Sequence, residues 1–259
     1  RIQDALSACA GTGQSVVLAP SGSDDAFYTG SLTINGAGLV IGSGATLIGN
    51  NYASKANLLA FSGTNASLMG PGTVDGRGDI ISGTPRLVQA SKISNFIVYD
   101  ITLTQAAHPN LYVEGGNGFT AWGVSIRTPA TRKNADGIDI DSLTNATVIH
   151  STIEAGDDGI AIKTNSGNIS NVTVSDTRLY GTHGLSVGSI DKNTVSNILF
   201  KDNYVYGYDL NGTLSTNDNG INVKTGPCSL TVKNVSYVNT CMIHVKHMIV
   251  MDTNYNSCT

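Results

Sequence analysis

A short segment opening on asparagine recurs along the chain. It reads NFIVYDITL from Asn95, NATVIHSTI from Asn145, NVTVSDTRL from Asn171 and NILFKDNYV from Asn197. The last three copies stand 26 residues apart each time. A fixed period of this length marks a repeat architecture, in which each unit buries its apolar face only against its neighbours. Asn65, Asn117 and Asn234 open looser copies. A second unit alternates with the first: DGIDIDS from Asp136, DGIAIKT from Asp158, HGLSVGS from His183 and NGINVKT from Asn219. Its two aliphatic residues are always two apart, so they share one face of a strand.

Short strands at a constant period, without helical stretches between them, predict an all-β fold. We expect a single-domain right-handed parallel β-helix over residues 1–259, with about 9 or 10 coils of roughly 22–30 residues stacked about 4.8 Å apart. A β-propeller is the alternative, but its blades need around 40 residues each. A solenoid also needs an end cap, because an open coil exposes core and strand edges. RIQDALSACA at residues 1–10 supplies one: Ile2, Leu6 and Cys9 form an apolar stripe on a helix that Gly11 stops. The strand-like HMIVMDTNY near the other end is followed by no recognisable cap, so we expect either that the region of Cys258 closes it or that part of a longer parent is absent.

Composition narrows the function classes. The 259 residues carry a net charge of −4, and 40% are hydrophobic and evenly spread, which excludes a disordered chain. The acidic balance argues against a nucleic-acid partner. No run of 18 apolar residues exists, so none reads as a membrane-spanning helix. The chain opens at Arg1 without a start Met and reads as a processed or excised form. Cys9, Cys228, Cys241 and Cys258 allow three full pairings and show no zinc-like spacing. Sequons for N-glycosylation stand at Asn65, Asn145, Asn168, Asn171, Asn211 and Asn234, several of them inside the repeat.

Stacking of coils gathers residues that are remote in sequence. Asp136, Asp158, His183 and Asn219 hold the same place in four copies, with Asp157 beside them. Asp139, Ala161, Ser186 and Asn222 should form a second column, and Asp141, Lys163, Gly188 and Lys224 a third. Strict alternation would put Asp136 and Asp158 on the buried side of Ile138 and Ile160, so Gly137 and Gly159 are expected to break it at a bend. Bend ladders of Asn, Ser and Asp are common without function. Stacked like charges are not, and a site that shares protons among carboxylates requires them.

These residues resemble the pectin-cleaving glycoside hydrolases that include polygalacturonases and rhamnogalacturonases, glycoside hydrolase family 28. The ordered motifs are Asn134-Ala135-Asp136, Gly156-Asp157-Asp158, Thr182-His183-Gly184 and Asn222-Val223-Lys224. The resemblance runs from the cap helix to the strand near residue 250. It implies an inverting secreted hydrolase of α-1,4-galacturonosyl linkages, monomeric and without metal or other cofactor, whose partner is a pectic polysaccharide. Asp157 would be the general acid, Asp136 and Asp158 the pair that positions and deprotonates water, and His183 a residue tuning the acid's proton. Asn134, Asn222 and Lys224 would bind substrate, Lys224 by gripping a carboxylate. Lys163 and Lys192 are further cations near the site in the repeat frame. The pattern departs at two places. Asn222 stands where the family has Arg, and Lys246-His247-Met248 stands where it has a tyrosine-bearing segment.

Two other classes share this fold. A pectate-lyase-like β-helix would hold Ca²⁺ on acidic clusters such as Asp139 and Asp141. A non-catalytic glycan-binding β-helix would present aromatic platforms. Aromatics are only 6% of the chain with a single Trp122, though Tyr204, Tyr206 and Tyr208 could form a small one.

Overall fold

A computed structural model describes residues 1–52 and 57–257 of the chain. Its strands form a fifteen-stranded and a nine-stranded sheet, every strand pair in them parallel, wound into a β-solenoid of about nine turns. Long strands serve two faces in succession. Ile138–Ile149 crosses one face, turns at Ser142 and Asn145, both with positive φ, and continues along the next. After His150 turns the chain again, Thr152–Glu154 forms the third face. The loop at 155–159 then leads back to the first.

The repeat sets the register. Ile138, Ile160, Leu185 and Ile221 align on successive coils, as do Ile140, Ile162, Val187 and Val223. The first three of each set are fully buried. Aromatic stacking continues the core, with the rings of Phe61 and Phe96 5.0 Å apart and those of Phe96 and Phe119 6.0 Å apart. Closely packed interiors of this kind tolerate little change of volume.

The corners explain the asparagines. Asn65, Asn95, Asn145, Asn171, Asn197 and Asn234 all lie at φ between 54° and 60°. Asn tolerates this left-handed region better than most residues, because its short amide bonds locally. The side chains then bond from coil to coil. The Nδ2 of Asn171 donates to Asn145 at 3.1 Å, that of Asn197 to Asn171 at 3.2 Å, and that of Asn234 to Asn197 at 3.0 Å. Asn117 is displaced from this scheme. Gly118 takes the corner at φ +82°, and Asn117 beside it accepts the bond from Asn145 at 2.7 Å. The sequons at Asn145, Asn171 and Asn234 thus use in the ladder the very nitrogen that a glycan would take.

The Ile2–Cys9 helix closes one end as expected. Leu6 is buried, Ile2 and Cys9 pack on the core, and Gly11 follows at φ +69°. Gln3 covers a strand edge, donating to the carbonyl of Thr33 at 2.9 Å and accepting from its N–H at 2.8 Å. At the other end, the strand His247–Asp252 leaves Ile249 and Met251 largely exposed. Cys228 is disulfide-bonded, while Cys9 and Cys241 are free. Cys258 and the closure expected of it lie outside the described residues.

Candidate active site

The acidic residues converge because the coils register as the repeat requires. Asp139, Ala161, Ser186 and Asn222 align, and so do Asp141 with Lys163 and Gly188 with Lys224. Bends at Gly137 and Gly159 release Asp136 and Asp158 from the alternation that buries Ile138 and Ile160. Asp136, Asp139, Asp157 and Asp158 accordingly line one groove of about 310 Å³ together with Asn134, Lys163 and Lys224. A contiguous groove of about 260 Å³ adds His183, Asn219 and Asn222. All the sequence-predicted site residues are therefore in one cleft. Lys192 is not: it is exposed and does not line either part.

Adjacent Asp157 and Asp158 point to different partners. Asp157 Oδ1 lies 2.9 Å from Nδ1 of His183. Burial pushes the Asp157 carboxyl up, but the hydrogen bond and charge of His183, aided by Lys224, outweigh it and hold the acid below the usual range. Asp158 is only 3% exposed and accepts from Lys224 Nζ at 2.7 Å and from the Ser186 hydroxyl at 2.7 Å. Its burial and the neighbouring Asp136 and Asp157 still raise it, against the pull of Lys224. Lys224 itself is raised, since Asp158 overcomes the effect of its burial.

Lys163 forms the second cationic tie, donating to Asp136 at 2.8 Å and to Asp139 at 3.0 Å. Asp139 is fully buried, and one of its carboxylate oxygens has no hydrogen-bond partner beyond the neighbouring Asp136. Burial and Asp136 raise Asp139 well above the usual carboxylate range, more than Lys163 lowers it. Burial and the neighbouring Asp136 carboxylate thus favour a proton on Asp139. Lys163 rises in turn: burial pushes it down, but the two carboxylates more than reverse this.

Register places further residues in the cleft that the motifs did not indicate. Tyr112 aligns with Asp139 one coil away and hydrogen-bonds through its hydroxyl to Asp141. Asp141 is otherwise filled by Ser142 and by the backbone and amide nitrogens of Asn165. Asp139 and Asp141 are thus tied to Lys163, Tyr112 and Asn165 rather than open for Ca²⁺. Arg86 lies over the Tyr112 ring at 3.5 Å, and His108, lowered chiefly by burial, stands beside it. Tyr255 lines both parts of the cleft, with Lys224 Nζ 5.4 Å from its ring centre. It brings a tyrosine ring here although Lys246-His247-Met248 carries no tyrosine. Asp157, Asp158 and His183 also offer ligand atoms within 4.8 Å of one another, close enough for a cation.

The tyrosine platform forms elsewhere, on the nine-stranded sheet. Tyr204 and Tyr206 stack at 6.2 Å, and Tyr208 follows at 5.9 Å from Tyr206.

A parallel β-solenoid with stacked carboxylates in an open cleft defines a polysaccharide-acting architecture of the pectinase type. The chain belongs to the glycosyl hydrolases family 28, whose model matches residues 9–259. It is 33% identical over 298 residues to an endo-polygalacturonase of Pectobacterium carotovorum subsp. carotovorum, covering 98% of this chain and 71% of that protein. The solved polygalacturonase of Erwinia carotovora ssp. carotovora superposes with a TM-score of 0.87 at 30% identity, over 99% of this chain and 77% of its own. The endo-xylogalacturonan hydrolase of Aspergillus tubingensis shares the fold with a TM-score of 0.79 at 22% identity, over 99% and 73%.

Proposed function

We propose that the protein hydrolyses α-1,4-galacturonosyl linkages of pectic polysaccharide with inversion of configuration, as a glycosidase of polygalacturonase type. One observation carries this reading beyond family membership. Asp136, Asp157 and Asp158 open together on one groove, each with its own cationic or imidazole partner.

Inverting hydrolysis needs a protonated carboxyl at the leaving oxygen and an ionised one that deprotonates water on the opposite face of the sugar. Asp157 is the donor. It is the most exposed of the three and is joined to an imidazole that can exchange its proton. Asp136 and Asp158 hold the water between them and take its proton, each hydrogen-bonded to a lysine, Lys163 and Lys224 respectively. Asn134 and Asn222 offer neutral contacts along the groove, and Lys163 and Lys224 offset part of the charge of the carboxylates that line it.

The cleft is complete within one chain, so a monomer suffices. An extended polymeric substrate and the disulfide of Cys228 both favour a secreted protein in an oxidising environment.

The test is incubation of the wild type and Asp157→Asn with galacturonan, reading new reducing ends. We expect hydrolysis by the wild type and a loss of about 10²–10⁴-fold in the variant, the usual contribution of a general acid. Wild-type turnover by Asp157→Asn would remove it from the donor role. No cleavage of any pectic polymer by the wild type would remove the function.

A further inference from the structure

The two halves of the cleft differ in the cations they offer: Arg86, Lys163 and Lys224 line one, and Lys224 alone of the lysines and arginines lines the other. On the side toward the cap helix, the backbone N–H of Arg86 donates to Asn57 at 3.1 Å, but its guanidinium, which lines the groove, has no ion pair or hydrogen bond among the described residues. Its Cζ lies 3.5 Å from the centre of the Tyr112 ring, Tyr112 is 5% exposed, and Tyr112 is in turn fixed by the fully buried Asp141. A guanidinium held over a locked ring has lost most of its rotamer freedom before any ligand arrives. Its N–H fork remains unused, and that fork matches a carboxylate in two parallel bonds.

On the other side of Asp157, the groove is lined by Asn217, Asn219, Asn222, Asp252 and Tyr255. Lys224 is the cation lining that part, and it is already joined to Asp158 at 2.7 Å. Asp252 stands next to it in register. A free carboxylate there would meet another carboxylate without a guanidinium to offset it.

Building on the hydrolase reading, we infer that the cleft takes a galacturonan of uneven charge. Arg86 receives a free uronate carboxylate on the cap-helix side, and the Asn222–Asp252 side receives a ring whose acid is absent or masked as an ester. Arg86 is then a substrate-binding residue acting through affinity, and the Asn222–Asp252 pair sets specificity against charge.

The full chain is assayed on de-esterified galacturonan, on the same polymer partly methyl-esterified, and on a polymer alternating galacturonate with a neutral sugar. Preference for either of the last two supports the inference and identifies the source of the uncharged ring. Preference for the de-esterified polymer overturns it. Arg86→Gln is expected to raise KM about tenfold with little change in kcat, as loss of one charge-assisted contact does. An unchanged KM removes Arg86 from the subsite. Asn222→Arg combined with Asp252→Asn should shift preference toward the de-esterified polymer, and no shift overturns the specificity role. Binding of a de-esterified trigalacturonate is measured separately by calorimetry in Asp157→Asn, with and without Arg86→Gln. A weakening of about tenfold is expected there too, whether or not the wild type turns over. Absence of turnover with this weakening intact would sink the hydrolase reading and leave the Arg86 subsite standing.

Discussion

Asp157 ionises more readily than an ordinary aspartate and Asp158 less readily, although one peptide bond joins them. Burial raises both, and what separates them is the partner: His183 reverses the effect at Asp157, whereas Lys224 does not at Asp158. In the proposed reaction Asp157 must carry a proton, so His183 limits the pH range over which the donor is loaded. His183→Ala removes the interaction that favours the charged acid, and the Asp157 carboxyl rises. The alkaline limb of kcat/KM reports loss of the donor's proton, so it should move to higher pH in this variant. A pH–rate profile checks this, and a move to lower pH would contradict it. Asp136, Asp157, Asp158 and His183 were legible in the sequence because each belongs to, or touches, one repeated unit. Arg86, His108 and Tyr255 were not, since they come from irregular connections outside the repeat, where spacing carries no register. Tyr112 lies between these cases. It aligns with Asp139, but LYVEGG lacks the Gly-aliphatic frame of the other copies.

At the level of the element, the asparagine ladder does two jobs at each corner. The residue must accept a positive φ, and its amide must link the coils above and below. Asn171 lies at φ 58°, donates to Asn145 and accepts from Asn197. Asn171→Ala loses both contributions. A left-handed residue with a Cβ costs about 1–2 kcal/mol, and solvent-exposed hydrogen bonds add only a fraction of the usual ~1 kcal/mol each. Asn171→Gly relieves the backbone but not the ladder, and should be the milder of the two. Urea unfolding of both variants checks the order, and an Ala variant as stable as the Gly variant would show that the corner conformation is not limiting. The same logic explains why the repeat was readable at Asn145, Asn171 and Asn197 yet misaligned at Asn117. Gly118 satisfies the backbone without an amide, so the amide moved one residue upstream. The Asp136 and Asp158 bends were also legible, because only a break at Gly137 and Gly159 reconciles aliphatic alternation with acids in a cleft.

The molecule as a whole combines an apolar interior with acids buried along one wall, and its stability should follow their titration. Asp139 and Asp158 are raised, so the folded chain holds protons that the unfolded chain releases near pH 4. Their stabilising contribution is full below about pH 4 and is lost as pH climbs through the folded values. Glu154, raised mainly by burial, acts in the same direction. Asp157 is lowered and works oppositely: its contribution is present above about pH 4 and fails as pH falls through its folded value. The lowered His108 likewise favours the fold only above its unfolded value, about 6.5. Lys163 and Lys224 are raised, so their contribution persists up to about pH 10.4 and declines beyond. Asp139 is fully buried and raised well above the usual carboxylate range, so its own contribution declines as pH climbs through its folded value. The Asp139 titration should therefore pull the melting temperature down as pH rises above about 4. Asp139→Asn removes that titration while keeping an acceptor for Lys163, so the variant's melting temperature should change less between pH 5 and pH 8 than the wild type's, each read at matched ionic strength. An equal or steeper fall in the variant would show that Asp139 is ionised in the folded protein, tied fully to Lys163.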